Sequence, residues 1–195
     1  MKIPNSYINN SKINFRAILS ICIVTVLIML NGLFLSETWG YWFFADELHN
    51  TGKFVIQSRS PLYVLYLQLF NWIGFPFSIY TEWLTTSLIT GLSLYLLLRI
   101  KLSEWKSIFA VVIWLPFIRY SEPPAQSLAL SMTSIAFVIR SNSVDFDSNR
   151  SAITASYTFL IMAFMFRFTY LLPLGLVLFY DIWNCYKSKS FKNII

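Results

Sequence analysis

Charged side chains are scarce in this sequence, at 12% of 195 residues, whereas 56% are hydrophobic and 18% are aromatic. A soluble domain of this length cannot bury so many apolar side chains, so the composition disfavours an ordinary globular enzyme. The net charge of +6 does not indicate nucleic-acid binding, because the basic residues lie in short stretches between apolar runs. Membrane lipid is therefore the predicted environment, and nucleic acid is excluded as a partner.

Histidine and cysteine are also rare. His49 is the single histidine, and the two cysteines, Cys22 and Cys185, match neither a metal site nor a disulfide framework. The sequence has no Ser/His/Asp arrangement and no glycine-rich phosphate loop, which argues against a nucleophile-type hydrolase. No cofactor is specified; a divalent cation stays open, without a clear metal site.

Long apolar runs, by contrast, are abundant. They occupy residues 17–35, 61–73, 80–98, 107–118, 124–139, 152–166 and 170–184. At a rise of about 1.5 Å per residue, the run 61–73 covers about 20 Å of a hydrocarbon core that is about 30 Å thick. We therefore predict a short interfacial helix at 61–73 and membrane spans for the other runs.

The distribution of basic residues orients these spans. If 61–73 does not cross, most basic residues lie on the cytoplasmic side with the amino terminus, as the positive-inside rule requires. The outer side then keeps only Lys53, Arg59, Arg119 and Arg167. The prediction is an all-α, polytopic integral membrane helical bundle of about six spans, a single domain over 1–195 with interfacial helices in an outer loop at 36–79. Its compactness favours a bacterial inner (plasma) membrane.

The first outer loop carries two adjacent carboxylates, Asp46 and Glu47, beside aromatic residues. At helical spacing Asp46 shares one polar face with His49 and Lys53, and Gly52 suits the end of that helix. An apolar environment can raise a carboxyl pKa toward the range of a general base. The alternative is a solvated face of a loop helix, and the sequence leaves both interpretations open.

Three arginines lie in the predicted outer loops. Arg59 precedes a helix that opens at Pro61, Arg119 is followed closely by Glu122, and Arg167 interrupts an apolar stretch. Arginine at such positions suits the binding of a phosphate group. Each also has a structural alternative: contact with headgroups for Arg59, an internal pair of Arg119 with Glu122, and a helix turn at Arg167.

The order of these features resembles the amino-terminal part of the GT-C superfamily of membrane glycosyltransferases, of the protein O-mannosyltransferase and aminoarabinose transferase type. The resemblance rests on a signal-anchor helix followed by Asp46-Glu47, Gly52, Pro61-Leu62-Tyr63, Gly74 and Arg119-Tyr-Ser-Glu122. It covers most of the chain as an ordered pattern more than as strict identity.

This resemblance implies an inverting transfer of a sugar from a polyprenyl-phosphate-linked donor to an acceptor on the non-cytoplasmic face. It implies Asp46 as the catalytic base with Glu47 beside it, and Glu122 as a looser match to a second acidic position. The candidates for substrate binding are His49, Arg59, Tyr63, Arg119 and Arg167.

Members of this superfamily normally run to several hundred residues, whereas this chain stops at Ile195. We therefore expect the amino-terminal portion of a larger module, a truncated relative, or a minimal chain that a second chain or oligomerisation completes. The alternative function is a non-catalytic membrane subunit that binds a lipid-linked glycan or a partner protein.

Overall fold

The computed structural model describes residues 14–30, 37–53, 60–121, 124–143 and 149–187. Within these ranges the chain is helical and contains no strand, which confirms the all-α prediction for the described part. The helices are α1 (Phe15–Leu30), α2 (Glu37–Thr51), α3 (Pro61–Asn71), α4 (Phe77–Arg99), α5 (Glu104–Ser121), α6 (Pro124–Asn142), α7 (Arg150–Phe166) and α8 (Leu171–Lys187). A single 3₁₀ turn, Phe168–Tyr170, joins α7 to α8.

The predicted polytopic membrane bundle is wrong for the described residues, since none of their helices combines the length and the apolar character needed to cross a bilayer. Helix α1 has 16 residues, and α7 and α8 have 17 each, against the roughly 20 that a span requires. The longer helices carry polar side chains, such as Glu82 and Thr86 within α4. The localisation predicted from that topology, an integral protein of the bacterial inner membrane with defined inner and outer loops, is wrong for the same reason.

Local sequence explains where several helices begin and end. Ser60 caps α3 by accepting a hydrogen bond from Tyr63 N, and Pro61 occupies its first turn, where no amide donor is needed. Asn149 caps α7 in the same way. Gly52 follows α2 with a φ of 68°, so the predicted stop at this glycine is confirmed.

Helix α4 lies at the centre and packs against α1, α3, α5 and α6. Gly91 permits the close approach of α1, because a Cβ there would lie 2.5 Å from Ile21 Cγ2. One group of buried residues fills the space between α1, α4 and α5: Ala17, Ile21, Ile28, Trp83, Tyr95, Ile108, Val111 and Leu115.

A larger group, here named the α3 core, joins α2 and α3 to the first turns of α4 and α6 and to the end of α7. Its buried members are Tyr41, Trp42, Ala45, Tyr63, Val64, Leu67, Phe70, Ile79, Ala125, Leu128, Ala129, Ala163 and Phe166. Segments that are far apart in sequence therefore meet at one end of the bundle. This end contains the predicted acidic helix and Arg167.

Candidate functional site

Helix α2 has a buried face and a solvent face. Trp42 and Ala45 are buried in the α3 core, with exposed fractions of 8% and 0%. Asp46 and His49 are exposed, whereas Glu47 is half-buried. The predicted shared polar face is therefore found, and the Asp46 carboxylate can be reached by a substrate.

Two contacts with α3 fix α2, one at Tyr41 and one at the buried Ala45. The ring of Tyr41 meets that of Tyr63 edge-on, with centroids 4.8 Å apart and an angle of 80° between the planes. One turn later, Gln68 Nε2 donates a hydrogen bond to the carbonyl oxygen of Ala45. Because Ala45 directly precedes Asp46, these contacts set the position of the acidic pair relative to α3.

Tyr63, a predicted substrate-binding residue, is completely buried. Its hydroxyl donates to Glu82 Oε1 at 3.2 Å, and Thr86 Oγ1 donates to the same oxygen at 2.7 Å. The hydroxyl of Tyr66 lies 3.1 Å from Thr86 Oγ1. We name Tyr63, Tyr66, Glu82 and Thr86 the tyrosine–glutamate cluster; it connects α3 to α4 inside the protein.

Arg167 lies at the end of α7, where an extended backbone with φ −156° stops the helix. Its Nε donates to Gln126 Oε1 at 3.2 Å, which orients the guanidinium toward the first turn of α6. Nearby in sequence, the carbonyl oxygen of Met165 accepts a 2.6 Å hydrogen bond from Ser60 Oγ, at the start of α3. The structure thus brings the region of Arg167 to the beginning of α3.

The other predicted site residues give less information. Arg59 and Glu122 lie outside the described residues. Arg119 lies in the last turn of α5, and its side chain is not described. Their predicted roles stay predictions.

Glu82 is not among the site residues predicted from the sequence, because the run 80–98 is interpreted there as a membrane span. Glu82 has an exposed fraction of 0% and is followed at helical spacing by Thr86 and Thr90, which are also fully buried. Thr90 Oγ1 in turn accepts a 3.1 Å hydrogen bond from Ser131 Oγ of α6. This i, i+4 series of polar residues was the available signal for a polar helix face.

A second group of interacting polar side chains was also not predicted from the sequence. Arg140 of α6 forms an ion pair with Asp181 of α8, and Tyr157 of α7 donates to Asp181 Oδ2 at 2.5 Å. The Arg140 guanidinium also lies over the Tyr157 ring, 5.9 Å from its centroid. We name these three residues the arginine–aspartate cluster. It joins three helices.

Among the described residues, no three or more His, Cys, Asp or Glu side chains gather in a way that could hold a metal ion. An open depression of about 490 Å³ lies along the first half of α7. Its lining residues all belong to that helix: Arg150, Ser151, Thr154, Ala155, Thr158 and Phe159. A depression formed by one helix lacks the convergent polar groups of an enclosed ligand site.

No protein-family model, curated protein or solved structure matches this chain. The candidate site consists of the exposed Asp46 and the half-buried Glu47 on α2, the helix α3 on which α2 rests, and Arg167, whose segment meets the start of α3.

Proposed function

We propose that this chain is a glycosyltransferase that moves a sugar from a polyprenyl-phosphate-linked donor to a hydroxyl-bearing acceptor. The observation that carries the proposal is that the α3 core brings two groups to the same end of the bundle: the exposed Asp46 with its neighbour Glu47 on α2, and Arg167 at the end of α7. A transferase needs an acid–base group at the acceptor and a cation at the phosphate. Asp46 and Arg167 supply these two groups from segments more than a hundred residues apart.

In the proposed reaction Asp46 takes the proton of the acceptor hydroxyl. The acceptor oxygen attacks the anomeric carbon of the sugar, and the bond between that carbon and the phosphate oxygen breaks. The phosphate leaves with the bonding electron pair, and its negative charge is stabilised by an arginine. A single displacement of this kind inverts the configuration at the anomeric carbon.

Arg167 suits the phosphate because a guanidinium presents several N–H donors in one plane. The hydrogen bond from its Nε to Gln126 fixes that plane, and the two terminal nitrogens carry the other donors. Glu47 is half-buried beside Asp46, where its carboxylate can accept a hydrogen bond from a sugar hydroxyl. His49 on the same face is a further candidate for contact with the donor sugar.

The experiment measures transfer of radiolabel from a panel of polyprenyl-phosphate sugars, using extracts of cells that express the chain. Removal of a general base lowers turnover by about 10²–10⁴-fold, so we expect that loss for Asp46→Asn with unchanged protein levels. Glu37→Gln is the matched control, since it removes a carboxylate from the first turn of the same helix. Equal transfer by Asp46→Asn and the wild type would contradict the proposal.

A second candidate is a binding subunit that recognises a lipid-linked glycan or a partner protein without catalysis. The observation that favours it is the apolar surface of α8, where most large hydrophobic side chains are exposed, including Leu172 at 68%, Phe179 at 68% and Tyr186 at 74%. Exposed apolar patches mark interaction sites. Under this candidate no donor is consumed, and Asp46→Asn retains full binding to the glycan or partner.

A further inference from the structure

We infer that Glu82 is a positioning residue for the acidic pair of α2, acting through Tyr63. Glu82 is completely buried on α4, whereas Asp46 lies on the exposed face of α2. The inference rests on the proposed function, because the pair that it positions is the proposed catalytic one. The burial of Glu82 and three successive sets of contacts support it.

The first step is the burial of Glu82. A carboxylate with no exposed surface is costly to keep inside a protein, and an apolar side chain of similar volume is often at least as stable there. Stability alone is therefore a weak reason for glutamate at this position. A requirement for one defined arrangement of neighbouring groups is a stronger one.

The second step concerns the hydroxyl groups that bind to the Glu82 carboxylate. Oε1 accepts hydrogen bonds from both Tyr63 and Thr86, and the Thr86 hydroxyl lies within hydrogen-bond distance of Tyr66. The two tyrosine rings are stacked, with centroids 6.0 Å apart. One glutamate thus sets the positions of two tyrosines on successive turns of α3.

The third step leads from Tyr63 to α2. The Tyr63 ring packs edge-on against Tyr41, one turn before Ala45, and Gln68 of α3 binds the carbonyl oxygen of Ala45. Helix α2 is therefore fixed to α3 by two contacts in the turn that leads to Asp46, one at Tyr41 and one at Ala45. A displacement of Tyr63 moves one of these two contacts.

The fourth step leads from α3 to the region of Arg167. Ser60, the capping residue of α3, donates to the carbonyl oxygen of Met165, two residues before Arg167. Tyr66 also packs edge-on against Phe166, with centroids 6.4 Å apart. Helix α3 is consequently the shared support of both proposed catalytic groups, and Glu82 fixes its buried face.

The test uses Tyr63→Phe, which removes one hydroxyl, and Glu82→Gln, which keeps the shape of the side chain and replaces one of its two oxygens by an amide nitrogen. Thr90→Val is the matched control, because it removes an equally buried hydroxyl from α4, one turn beyond Thr86. That hydroxyl donates to the backbone carbonyl of Thr86 and meets Ser127 and Ser131 of α6, and within the described residues none of its hydrogen bonds reaches α3. Each variant is measured for kcat and KM in the transfer assay. Amide hydrogen exchange of residues 41–51 is measured in the same proteins.

We expect Tyr63→Phe and Glu82→Gln to lower kcat by about 10–100-fold with little change in KM for the donor, as for a misplaced catalytic group. Exchange in 41–51 is expected to rise about tenfold over the wild type, while Thr90→Val changes neither quantity. In an Asp46→Asn background the additional loss of kcat from Tyr63→Phe should disappear. A further loss of the same size in that background would overturn the inference.

The exchange measurement separates this inference from the proposed function. If the wild type transfers no sugar but exchange in 41–51 rises only in Tyr63→Phe and Glu82→Gln, the proposed reaction fails and the positioning of α2 by Glu82 is supported. If exchange in 41–51 is the same in Tyr63→Phe as in Thr90→Val, the inference is overturned whatever the activity. Tyr63→Phe decides this outcome even where Glu82→Gln does not fold, because it leaves the carboxylate and its contact with Thr86 in place.

Discussion

The tyrosine–glutamate cluster and the arginine–aspartate cluster each place a carboxylate between helices, but they do so in different surroundings. Glu82 is fully buried and accepts from neutral hydroxyl groups within the large α3 core. Asp181 is 25% exposed and is paired with a cation, Arg140, which is 13% exposed. The difference shows that α3 is held by dense packing, with hydrogen bonds that define its position, whereas α8 is held more by polar contacts.

The hydrophobic support of the two regions differs accordingly. Around α8 the buried apolar residues are Ala136, Leu160 and Val177, one from each of three helices. Around α3 the buried group is much larger and contains several aromatic rings. The hydrophobic contribution to stability scales with the apolar area removed from water. Substitutions in the α3 core should therefore lower the free energy of unfolding the most.

The largest expected effect is that of Leu67→Ala in α3. Leu67 is completely buried, so its truncation should lower the free energy of unfolding by about 2–5 kcal/mol. Leu69→Ala on the same helix is the control: Leu69 is 63% exposed, and its change should stay within about 0.5 kcal/mol. Chemical denaturation of both variants measures the difference, and equal losses would show that α3 does not pack as described.

Much of the helical structure could be predicted from local signals in the sequence. Gly52 marks the end of α2, and Ser60-Pro61 marks the start of α3, because capping and turn chemistry depend on a few adjacent residues. Hydrophobic runs likewise indicated where most helices lie. The same runs led to the wrong membrane topology, since a mean over a window does not show that Glu82, Thr86 and Thr90 share one buried face.

The candidate site could be predicted only in part. The exposed face of α2 around Asp46 follows from helical spacing. The burial of Tyr63 does not, because its hydroxyl is directed by Glu82, which is 19 residues away. Pairing of Arg140 with Asp181 spans 41 residues, and such contacts depend on how helices pack and not on local pattern.

A smaller loss in the free energy of unfolding is expected for a substitution in the arginine–aspartate cluster, which attaches α8. Asp181→Asn removes the charge that binds Arg140 and accepts from Tyr157, and hydrogen bonds to charged groups contribute about 1.5–3 kcal/mol. Partial exposure of the pair places the expected loss in the lower part of that range. Asp46→Asn, the same substitution at an exposed site, should change the free energy of unfolding by less than about 0.5 kcal/mol. If the two variants unfold at the same denaturant concentration, the ion pair does not stabilise α8.

The smallest expected effect concerns the pKa of Tyr157 in the arginine–aspartate cluster. Burial of the phenol, together with its hydrogen bond to Asp181 and the negative charge of that residue, raises the pKa of Tyr157 from 10.0 to about 12, against the opposing charge of Arg140. Unfolded Tyr157 loses its proton near pH 10, whereas the folded protein keeps it until about pH 12. The unfolded state then binds fewer protons between these values, so this contribution to stability is complete below pH 10 and is lost as the pH rises toward 12.

The ultraviolet absorbance of tyrosinate, taken as the difference between the wild type and Tyr157→Phe, isolates this titration. In Asp181→Asn the hydrogen bond to a charged oxygen and the negative charge are both lost, so the pKa of Tyr157 should fall toward its ordinary value. Burial of the phenol still raises the pKa, and Arg140 still lowers it, so the size of the fall measures the part that Asp181 contributes. An unchanged titration in Asp181→Asn would mean that Asp181 does not contact the phenol in solution. Helix α8 would then be held at this point by the pairing of Asp181 with Arg140 and by the packing of Leu174 and Val177.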